Sequence, residues 1–419
     1  MKNNDANEER KQVGETPKSI LEEIIREGAR RLLQQAIENE VDEYIERLKH
    51  LKDDRGRRMV VKNGKSPERS ILTTIGPLPV IKPRINDKRD GQIFTSSILP
   101  RYLRRIPTID ALLPALYLKG ISTGDMAEAL ESILGHNAPG VSATNIVRLK
   151  RIWEAEYAVW SKRDLSEKKY AYFWVDGIHF NVRLEEPDSN RQCMLVIMGA
   201  CENGTKELVA ILDGYRESKS SWMELLLDIK DRGFTRGPEL AIGDGALGFW
   251  AAAEEVYPNM RHQRCWVHKI ANILDKMPSS IQPKAKRKIH DIYLAESKEQ
   301  ALVAYNSFLT VYAAKFPKAC ECLAKDKESL FTFYDFPAIH WIHIRSTNPI
   351  ESTFATVRHR TRGTKGCGTR LATLTMVFKL AKEAEKTWKK IKGHSLIPSV
   401  LKGTKFINGE AQDDKEQVA

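Results

Sequence analysis

The sequence is short of cysteine and has no long apolar segment. Its six cysteines, spread over 419 residues, show no disulfide framework, which is typical of reduced thiols in a cytosol. No run approaches the roughly 18 uninterrupted apolar residues of a membrane span. The opening stretch MKNNDANEERKQVGETPKS lacks the apolar core of a secretory signal, so we expect a cytoplasmic protein with no membrane partner.

Acidic side chains are fewer than basic ones. The chain has 67 Lys and Arg against 55 Asp and Glu, a net charge of +12 at pH 7. This excess favours a polyanionic partner, although a run of charge is more often a solvated face. The apolar fraction of 42% is enough for ordinary globular cores. The length predicts about two to four domains.

The N-terminal third divides into a tail, a helix and a β-rich segment. Residues 1–17 are polar and are expected to be disordered. Residues 18–52 carry apolar side chains at helical period, which predicts a long amphipathic helix that packs either on its own core or on a second copy as a dimer interface. Residues 53–105 combine β-branched runs, prolines and an Asn63-Gly64 turn, which predicts a small basic β-rich module.

Residues 106–165 look helical throughout. Two short predicted helices are separated by a Gly-containing turn, and a third, GVSATNIVRLKRIWEAEYAVW, is basic. The pattern fits a DNA-binding helix-turn-helix, and a plain helical hairpin fits it equally well. The candidate DNA-binding cations in and before this region are Arg101, Arg104, Arg105, Arg148, Lys150 and Arg151.

From residue 170 the periodicity becomes that of strands. YAYFWVDGIHFNVRL, QCMLVIMGACEN and KELVAILDGYRES predict three strands joined by short turns, followed by a helix, a buried strand, a second helix and a fifth strand in MRHQRCWVHKI. This is an α/β layout with a mixed sheet, in the order expected of a ribonuclease-H-like core. We place the first part of this core at 166–275, a helical insertion at 276–345, the last core helices at 346–392 and a disordered tail at 393–419.

Asp-Gly pairs close three of the predicted strands, at Asp176, Asp213 and Asp244. Each alone is more typical of a turn. Asp176 and Asp244, however, alternate in phase with apolar neighbours, and a carboxylate in an apolar layer is costly unless a cation meets it. If the first three strands form a meander and the fourth pairs with the first, Asp176 and Asp244 lie about 4.8 Å apart and Asp213 about 9.6 Å from strand one. Asp213 is then too distant to share metal ions about 4 Å apart.

Glu351 is the candidate for a third carboxylate. Asn348 as N-cap and Pro349 at the first helical position make a capping role for Glu351 an open alternative. Arg358 lies two helical turns further along the same face. The basic stripe that follows comprises Arg360, Arg362, Lys365 and Arg370, as expected beside DNA phosphates.

Cys265 and His268 have the spacing of half a zinc site. A structural zinc site needs four ligands, and no second half with suitable spacing is evident. Packing at a strand-to-helix junction is the alternative.

Five segments, taken together and in order, resemble the bacterial insertion-sequence transposases of the Mutator-like group, which are DDE-type enzymes. They are VDGIHFNVR, IGDGALGFWAA, QRCWVHKIANIL, STNPIESTF and RHRTRG. The similarity covers about residues 55–392. It implies a ribonuclease-H-like fold, a catalytic triad of Asp176, Asp244 and Glu351, and a helical insertion before Glu351. It also implies that Cys265 and His268 support the site, with His268 orienting a carboxylate or touching a phosphate.

On this resemblance we expect two Mg²⁺ ions, with Mn²⁺ as an alternative, held by the three carboxylates. The expected partners are terminal inverted repeats, target DNA and at least one further copy of the chain, on the nucleoid of a bacterial cell. Two other functions stay open. One is a non-catalytic DNA-binding regulator derived from a transposase, and the other is a metal-dependent nuclease of the same fold.

Overall fold

The structure is a computed structural model that divides by its contacts into two compact units, residues 1–149 and 150–419. No described helix is long and apolar enough to cross a bilayer. The predicted tail at 1–17 and most of the predicted helix-turn-helix lie outside the described residues. Those residues are 20–106, 143–182, 191–214, 216–245, 247–363 and 369–412, with isolated positions between 108 and 129.

The first unit contains a long helix and two small antiparallel sheets. The elements are α1 (Ile20–Arg47), β1 (Val60–Lys65), β2 (Arg69–Thr73), β3 (Gly76–Val80) and β4 (Pro83–Asp87). β1 pairs with β4 and β2 pairs with β3. In α1, Ile37 is fully buried and packs with Ile71, Val80 and Leu99. The N-terminal half of α1 instead exposes its apolar side chains, so the dimer interface stays a prediction for that half. These side chains are Ile20, Leu21, Ile24, Ile25 and Leu32.

The predicted Asn63-Gly64 turn is wrong. Gly64 has a positive φ of 71° but lies inside β1, where the pairing register shifts between Lys62 and Lys65. β1 pairs with the distant β4 and does not fold back on the next strand. The glycine therefore forms a bulge, a role that requires the same left-handed backbone as a turn.

The second unit is built on a five-stranded mixed sheet in the order β7-β6-β5-β8-β9. β5, β6 and β7 form an antiparallel meander, β8 runs parallel to β5, and β9 runs parallel to β8. The predicted α/β class and mixed sheet are confirmed. The strands are β5 (Tyr170–Asn181), β6 (Arg191–Cys201), β7 (Lys206–Gly214), β8 (Leu240–Gly243) and β9 (Arg261–Arg264).

Alternation along β5 separates the two faces of the sheet. Phe173 and Val175 enter a core with side chains of α3 (Lys219–Asp231) and α4 (Leu247–Val256), including Trp222. Tyr172 and Trp174 point to the other face because successive strand residues alternate. There they contact the segment that leads into α11 (Asn348–Gly363), and α12 (Arg370–Glu385) packs on β7.

Helix α2 (Ala143–Ser161) joins the second unit from Lys150 onward. Its Tyr157 hydroxyl donates to the backbone oxygen of Ile211, and Trp160 packs on Phe378 of α12. The two units divide by their contacts after residue 149, within α2, whereas the sequence predicts a domain boundary after 165, and that finer division stays a prediction. The aromatic residues at the C-terminal end of the helix explain the difference, since they belong to the core of the second unit.

A helical region fills the chain between β9 and α11. It comprises α5 (Trp266–Leu274), α6 (Gln282–Tyr293), α7 (Lys298–Tyr312), α8 (Pro317–Lys325), α9 (Lys327–Leu330) and α10 (Trp341–Ile344). The predicted fifth strand therefore stops at Arg264, and the rest of that segment is helix. The buried residues Trp266, Ile270 and Ile273 have helical spacing, which decides the local structure.

The expectation of a disordered tail is wrong for residues 393–412. They contain α13 (Ile397–Leu401) and a hairpin of β10 (Phe406–Ile407) and β11 (Glu410–Ala411). Gly409 accepts a backbone hydrogen bond from Ala338 and donates one to Tyr334. Only a few apolar residues anchor the segment, which is too few to produce a periodic sequence signal.

Phe406 and Ile407 offer a matched test of this segment. Phe406 is buried and Ile407 is 45% exposed, although both belong to β10. Phe406→Ala should lower the free energy of unfolding by about 3–5 kcal/mol through loss of buried surface and cavity formation. Ile407→Ala should cost less than about 1 kcal/mol. Chemical denaturation of the two variants measures the difference, and equal small effects would contradict the docking of the hairpin.

Candidate active site

Asp176 and Asp244 lie at the same edge of the sheet, on the adjacent strands β5 and β8. The parallel register pairs Trp174 with Ile242, so two residues further along Asp176 stands beside Asp244, just past the end of β8. Neighbouring strands are about 4.8 Å apart. Asp176 is only 9% exposed, and its Oδ1 accepts a hydrogen bond from the backbone N–H of Gly177.

Asp213 ends β7, two strands away from β5, as the sequence predicted. Its carboxylate is engaged by Arg370 at the start of α12, with Nε 3.0 Å from Oδ2 and Nη2 bound to Oδ1. This two-point contact neutralises Asp213 and ties α12 to the sheet. Asp213 therefore has a structural partner outside the cluster of Asp176 and Asp244.

The buried charge of Asp176 is only partly compensated. Burial raises the pKa of this carboxyl to about 7, and the neighbouring Asp244 charge adds to the effect. The His268 imidazole and the Gly177 N–H act in the opposite direction and do not cancel it. A cation at this edge would remove the penalty, because it favours the ionised carboxylate.

A further carboxylate, that of Glu217, faces the same cavity. Asp176, Glu217 and Asp244 line one pocket, together with Trp222 and Trp250. Burial raises the pKa of Glu217, with a contribution from the Asp244 charge, while His179 lowers it from 3.3 Å away. Sequence reasoning missed Glu217 because it lies in a loop after β7, where neither periodicity nor an Asp-Gly pair marks it.

Gly245 leaves space for the Arg264 guanidinium beside the backbone that follows Asp244. It has a φ of +86°, and a Cβ atom there would lie 2.3 Å from the Arg264 guanidinium carbon. Arg264 is only 6% exposed and its Nε lies 3.2 Å from Asp326. A side chain at position 245 would displace this guanidinium from the backbone next to Asp244.

Glu351 lies in the first turn of α11, where the partial positive charge of a helix N-terminus favours a carboxylate. The helix begins at Asn348, and the Thr347 carbonyl accepts the Glu351 N–H at 3.0 Å. The predicted cap at Asn348 is therefore displaced by one residue, to Thr347. The Thr347 hydroxyl donates to Glu351 Oε1 at 2.7 Å, so the carboxylate receives this bond and does not cap the backbone.

Cys265 and His268 belong to the strand-to-helix junction between β9 and α5, and both contact Thr347. The Thr347 Oγ1 lies 3.2 Å from Cys265 Sγ and 3.3 Å from His268 Nδ1. The Thr347 hydroxyl can donate to Glu351 Oε1 or to Cys265 Sγ, and the shorter distance favours Glu351, while the Thr347 backbone N–H donates to Cys265 Sγ at 3.3 Å. With its hydroxyl proton on Glu351, Thr347 accepts from the imidazole. Glu351 Oε1 lies 3.6 Å from His268 Nδ1. His268 thus contacts the Glu351 carboxylate directly and through Thr347.

The charges of this group support one another. Hydrogen bonding with Cys265 is the main cause that raises the pKa of His268 to about 9, and the Glu351 and Asp176 charges add to it. Burial opposes ionisation of the Cys265 thiol, but hydrogen bonds with His268 and Thr347 outweigh it and lower its pKa. At neutral pH His268 is therefore a cation that interacts with both Glu351 and Asp176.

Among the described residues, donor atoms within 4.8 Å of one another form two groups of three. One is Cys265, His268 and Glu351, and the other is His179, Cys193 and Glu217. Neither the predicted triad nor the set of Asp176, Glu217 and Asp244 is drawn this closely together. The carboxylates of the pocket are oxygen donors, which suits Mg²⁺ or Mn²⁺. A closed zinc site would need a fourth ligand in addition to Cys265, His268 and Glu351.

The predicted DNA-binding cations are dispersed over both units. Arg358 is exposed, with its guanidinium 5.9 Å from the centre of the Phe354 ring. Arg151, Arg101 and Arg104 are exposed, and Lys150 and Arg105 are half-buried. The side chains of Arg148, Arg360 and Arg362, and the whole of Lys365, lie outside the described residues.

Comparison with known proteins identifies one family over nearly the whole chain. The family described as "Transposase, Mutator family" matches residues 2–391. The transposase for insertion sequence element IS6120 of Mycolicibacterium smegmatis is 50% identical over 298 residues, covering 71% of this chain and 91% of that protein. The transposase for insertion sequence element IST2 of Acidithiobacillus ferrooxidans is 47% identical over 291 residues, covering 68% and 95%.

A more distant relative is the transposase for insertion sequence element IS256 in transposon Tn4001 of Staphylococcus aureus. It is 28% identical over 344 residues, covering 82% of this chain and 85% of the relative. The family match extends over nearly the whole chain, through both units of the structure. The chain belongs to the Mutator family of transposases.

Proposed function

We propose that this transposase cuts and joins DNA by metal-dependent phosphoryl transfer, with Asp176, Asp244 and Glu351 as its catalytic carboxylates on a ribonuclease-H-like core. The pairing of Asp176 with Asp244 across two parallel strands carries the proposal. A buried acid such as Asp176 is costly beside the half-buried Asp244, and the pair becomes favourable when it binds a divalent ion. Transposases among its relatives at up to 50% identity support the choice of DNA as substrate.

Mg²⁺, or Mn²⁺ in its place, suits the oxygen donors of the pocket. Asp176, Asp244 and Glu351 would hold such ions, whose chemistry would be to activate water or a terminal 3′-hydroxyl and to stabilise the departing 3′-oxygen. Asp176 and Asp244 present two carboxylates from a rigid sheet. Thr347 and His268 both contact Oε1 of Glu351 and so restrict the orientation of the carboxylate that would hold an ion.

His268 holds a proton close to two of the three carboxylates. Its positive charge limits the repulsion between Glu351 and Asp176 before ions bind. It is therefore a positioning residue for Glu351, and Cys265 is packed beneath it at 0% exposure. No protein nucleophile is needed, because water and the 3′-hydroxyl are the attacking groups.

The basic regions are assigned to DNA. Arg358 on α11 is suited to a phosphate near the carboxylates. Arg101, Arg104 and Arg105 of the first unit, together with Lys150 and Arg151, are proposed to contact the terminal inverted repeats. Neutralising phosphates releases counterions, so binding should weaken steeply with salt. Action on two element ends requires at least a dimer.

Asp176→Asn and Asp213→Asn separate catalysis from structure. Asp176→Asn should lower cleavage and joining of DNA carrying the element ends by about a thousandfold, since metal assistance is worth several kcal/mol. Asp213→Asn should retain both reactions while losing about 1–3 kcal/mol of stability with the Arg370 contact. The assay is incubation with end-containing DNA and Mg²⁺, followed by separation of nicked and joined products.

The products also decide between the alternatives. Joined products identify a transposase, nicks without joining identify a nuclease, and binding without either reaction identifies a regulator. Strand cleavage that survives in Asp176→Asn would remove that residue from the catalytic group.

The raised pKa of Asp176 predicts a specific pH dependence in metal-free protein. The unfolded carboxyl has a pKa near 4, whereas the folded one has a pKa of about 7. Between these values the folded chain holds a proton that the unfolded chain has released, so stability falls as pH rises and levels off above 7. Asp176→Asn should remove this loss, and its advantage over the parent should grow from pH 5 to pH 7.5.

Thermal unfolding of both proteins across this pH range, with and without Mg²⁺, makes the measurement. Mg²⁺ should stabilise the parent above pH 7 and leave Asp176→Asn nearly unchanged, because only the parent binds the ion well. A difference between the two proteins that does not vary with pH would contradict a buried, titrating Asp176.

A further inference from the structure

We infer that Glu217 is a fourth carboxylate of the active site, an oxygen ligand for the divalent ion bound by Asp176 and Asp244, and that His179 holds it in position. The inference rests on the proposed function, because it adds a ligand to that same metal site. Four observations support it: position 177 is a glycine, the backbone of Glu217 is closely packed, Glu217 shares a pocket with both aspartates, and His179 contacts its carboxylate.

The residue next to Asp176 is Gly177, which has no side chain. A Cβ atom at 177 would lie 2.3 Å from Glu217 Oε1 and 2.5 Å from its carboxyl carbon. The Glu217 carboxylate therefore occupies the space that any other residue at 177 would fill. Because successive strand residues alternate, position 177 faces the side of β5 opposite to the Asp176 side chain, so Glu217 approaches the pocket that it shares with Asp176 from the face covered by α3 and α4.

The backbone of Glu217 is fixed from the opposite side. A Cβ atom at Gly248, in the first turn of α4, would lie 2.4 Å from the Glu217 carbonyl oxygen. The next residue, Ser218, caps α3 by accepting the Ser221 N–H at 3.2 Å. Since α4 follows Asp244, Glu217 is held between β5 at Gly177 and the helix after the second aspartate.

The pocket and the partner give Glu217 its chemistry. Asp176, Glu217 and Asp244 line one cavity, where a bound cation would reduce the repulsion between their charges. His179 Nε2 lies 3.3 Å from Glu217 Oε1. The His179 side chain is 60% exposed. A carboxylate that only stabilised the fold would gain more stability from a buried cationic partner than from this exposed imidazole.

A separate metal site at His179, Cys193 and Glu217 is a weaker assignment. Cys193 is 1% exposed, and burial together with the charges of Glu217 and Asp176 raises the pKa of its thiol to about 12. A thiol must ionise to bind a metal. The donors that remain are an imidazole and a carboxylate, and the carboxylate is shared with the aspartate pocket.

Mn²⁺ binding to the full-length chain, followed by calorimetry, tests the inference without relying on turnover. Glu217→Gln keeps the shape of the side chain and its contact with His179 but loses the charge. It should weaken Mn²⁺ binding about tenfold or more. Glu224→Gln is the matched control, because Glu224 is an exposed carboxylate on α3, and it should bind Mn²⁺ as the parent does.

Gly177→Ala provides an independent route to the same ligand. It removes no acidic residue and displaces the Glu217 carboxylate, which is the flexible end of that side chain, so the fold should tolerate it while Mn²⁺ binding weakens to a similar degree. In the double variant Gly177→Ala/Glu217→Gln, the alanine should have no further effect, since the group it displaces no longer binds the ion.

Asp176→Asn distinguishes failure of this inference from failure of the proposed function. If Asp176→Asn loses Mn²⁺ binding and Glu217→Gln retains it, Glu217 is not a ligand and the proposed metal site stands. If Asp176→Asn binds as the parent does, the proposed site itself is wrong. If Gly177→Ala costs as much in the Glu217→Gln background as alone, its effect acts through Asp176, and the inference is overturned. Circular dichroism of each variant establishes that it is folded.

Discussion

Repulsion between Asp176 and Asp244 is the interaction around which the second unit is organised. The register of β5 and β8 brings the two carboxylates together, and Asp176, which is buried, is largely removed from the screening effect of water. Nearby groups limit the cost: the Gly177 N–H binds Asp176, and the His268 cation faces it. These contacts leave Asp176 with a raised pKa, so the folded chain retains an affinity for positive charge at this edge.

The sheet and Glu351 are connected by a small number of polar contacts. The Trp174 indole donates to the backbone oxygen of His343, and the Tyr172 hydroxyl lies 2.7 Å from His340 Nδ1. Both side chains come from the face of β5 that also bears Asp176. The segment that leads into α11 is thereby fixed to the strand that carries the first aspartate. Thr347 completes the connection through Cys265 and Glu351.

Local sequence patterns were sufficient for the sheet and for the pairing of Asp176 with Asp244. Strand alternation identified the faces, and strand order determined which aspartates are neighbours. The exclusion of Asp213 followed from the same order, and its contact with Arg370 explains how the structure uses that charge. Glu217 and Thr347 were missed because their roles depend on proximity between distant segments. No period in the chain records that Gly177 leaves space for a side chain forty residues further on.

The segment at 393–412 has a consequence for the order in which the site is assembled. His340 Nε2 contacts the backbone oxygen of Gly393, and Gly409 is bonded to Tyr334 and Ala338. Residues 334–340 thus depend on a part of the chain that the ribosome makes after all the carboxylates. A nascent chain that has been synthesised only as far as Glu351 still lacks Gly393 and Gly409, which hold residues 334–340. A premature stop codon between positions 352 and 393 spares every acidic residue of the site and removes the part that fixes their support.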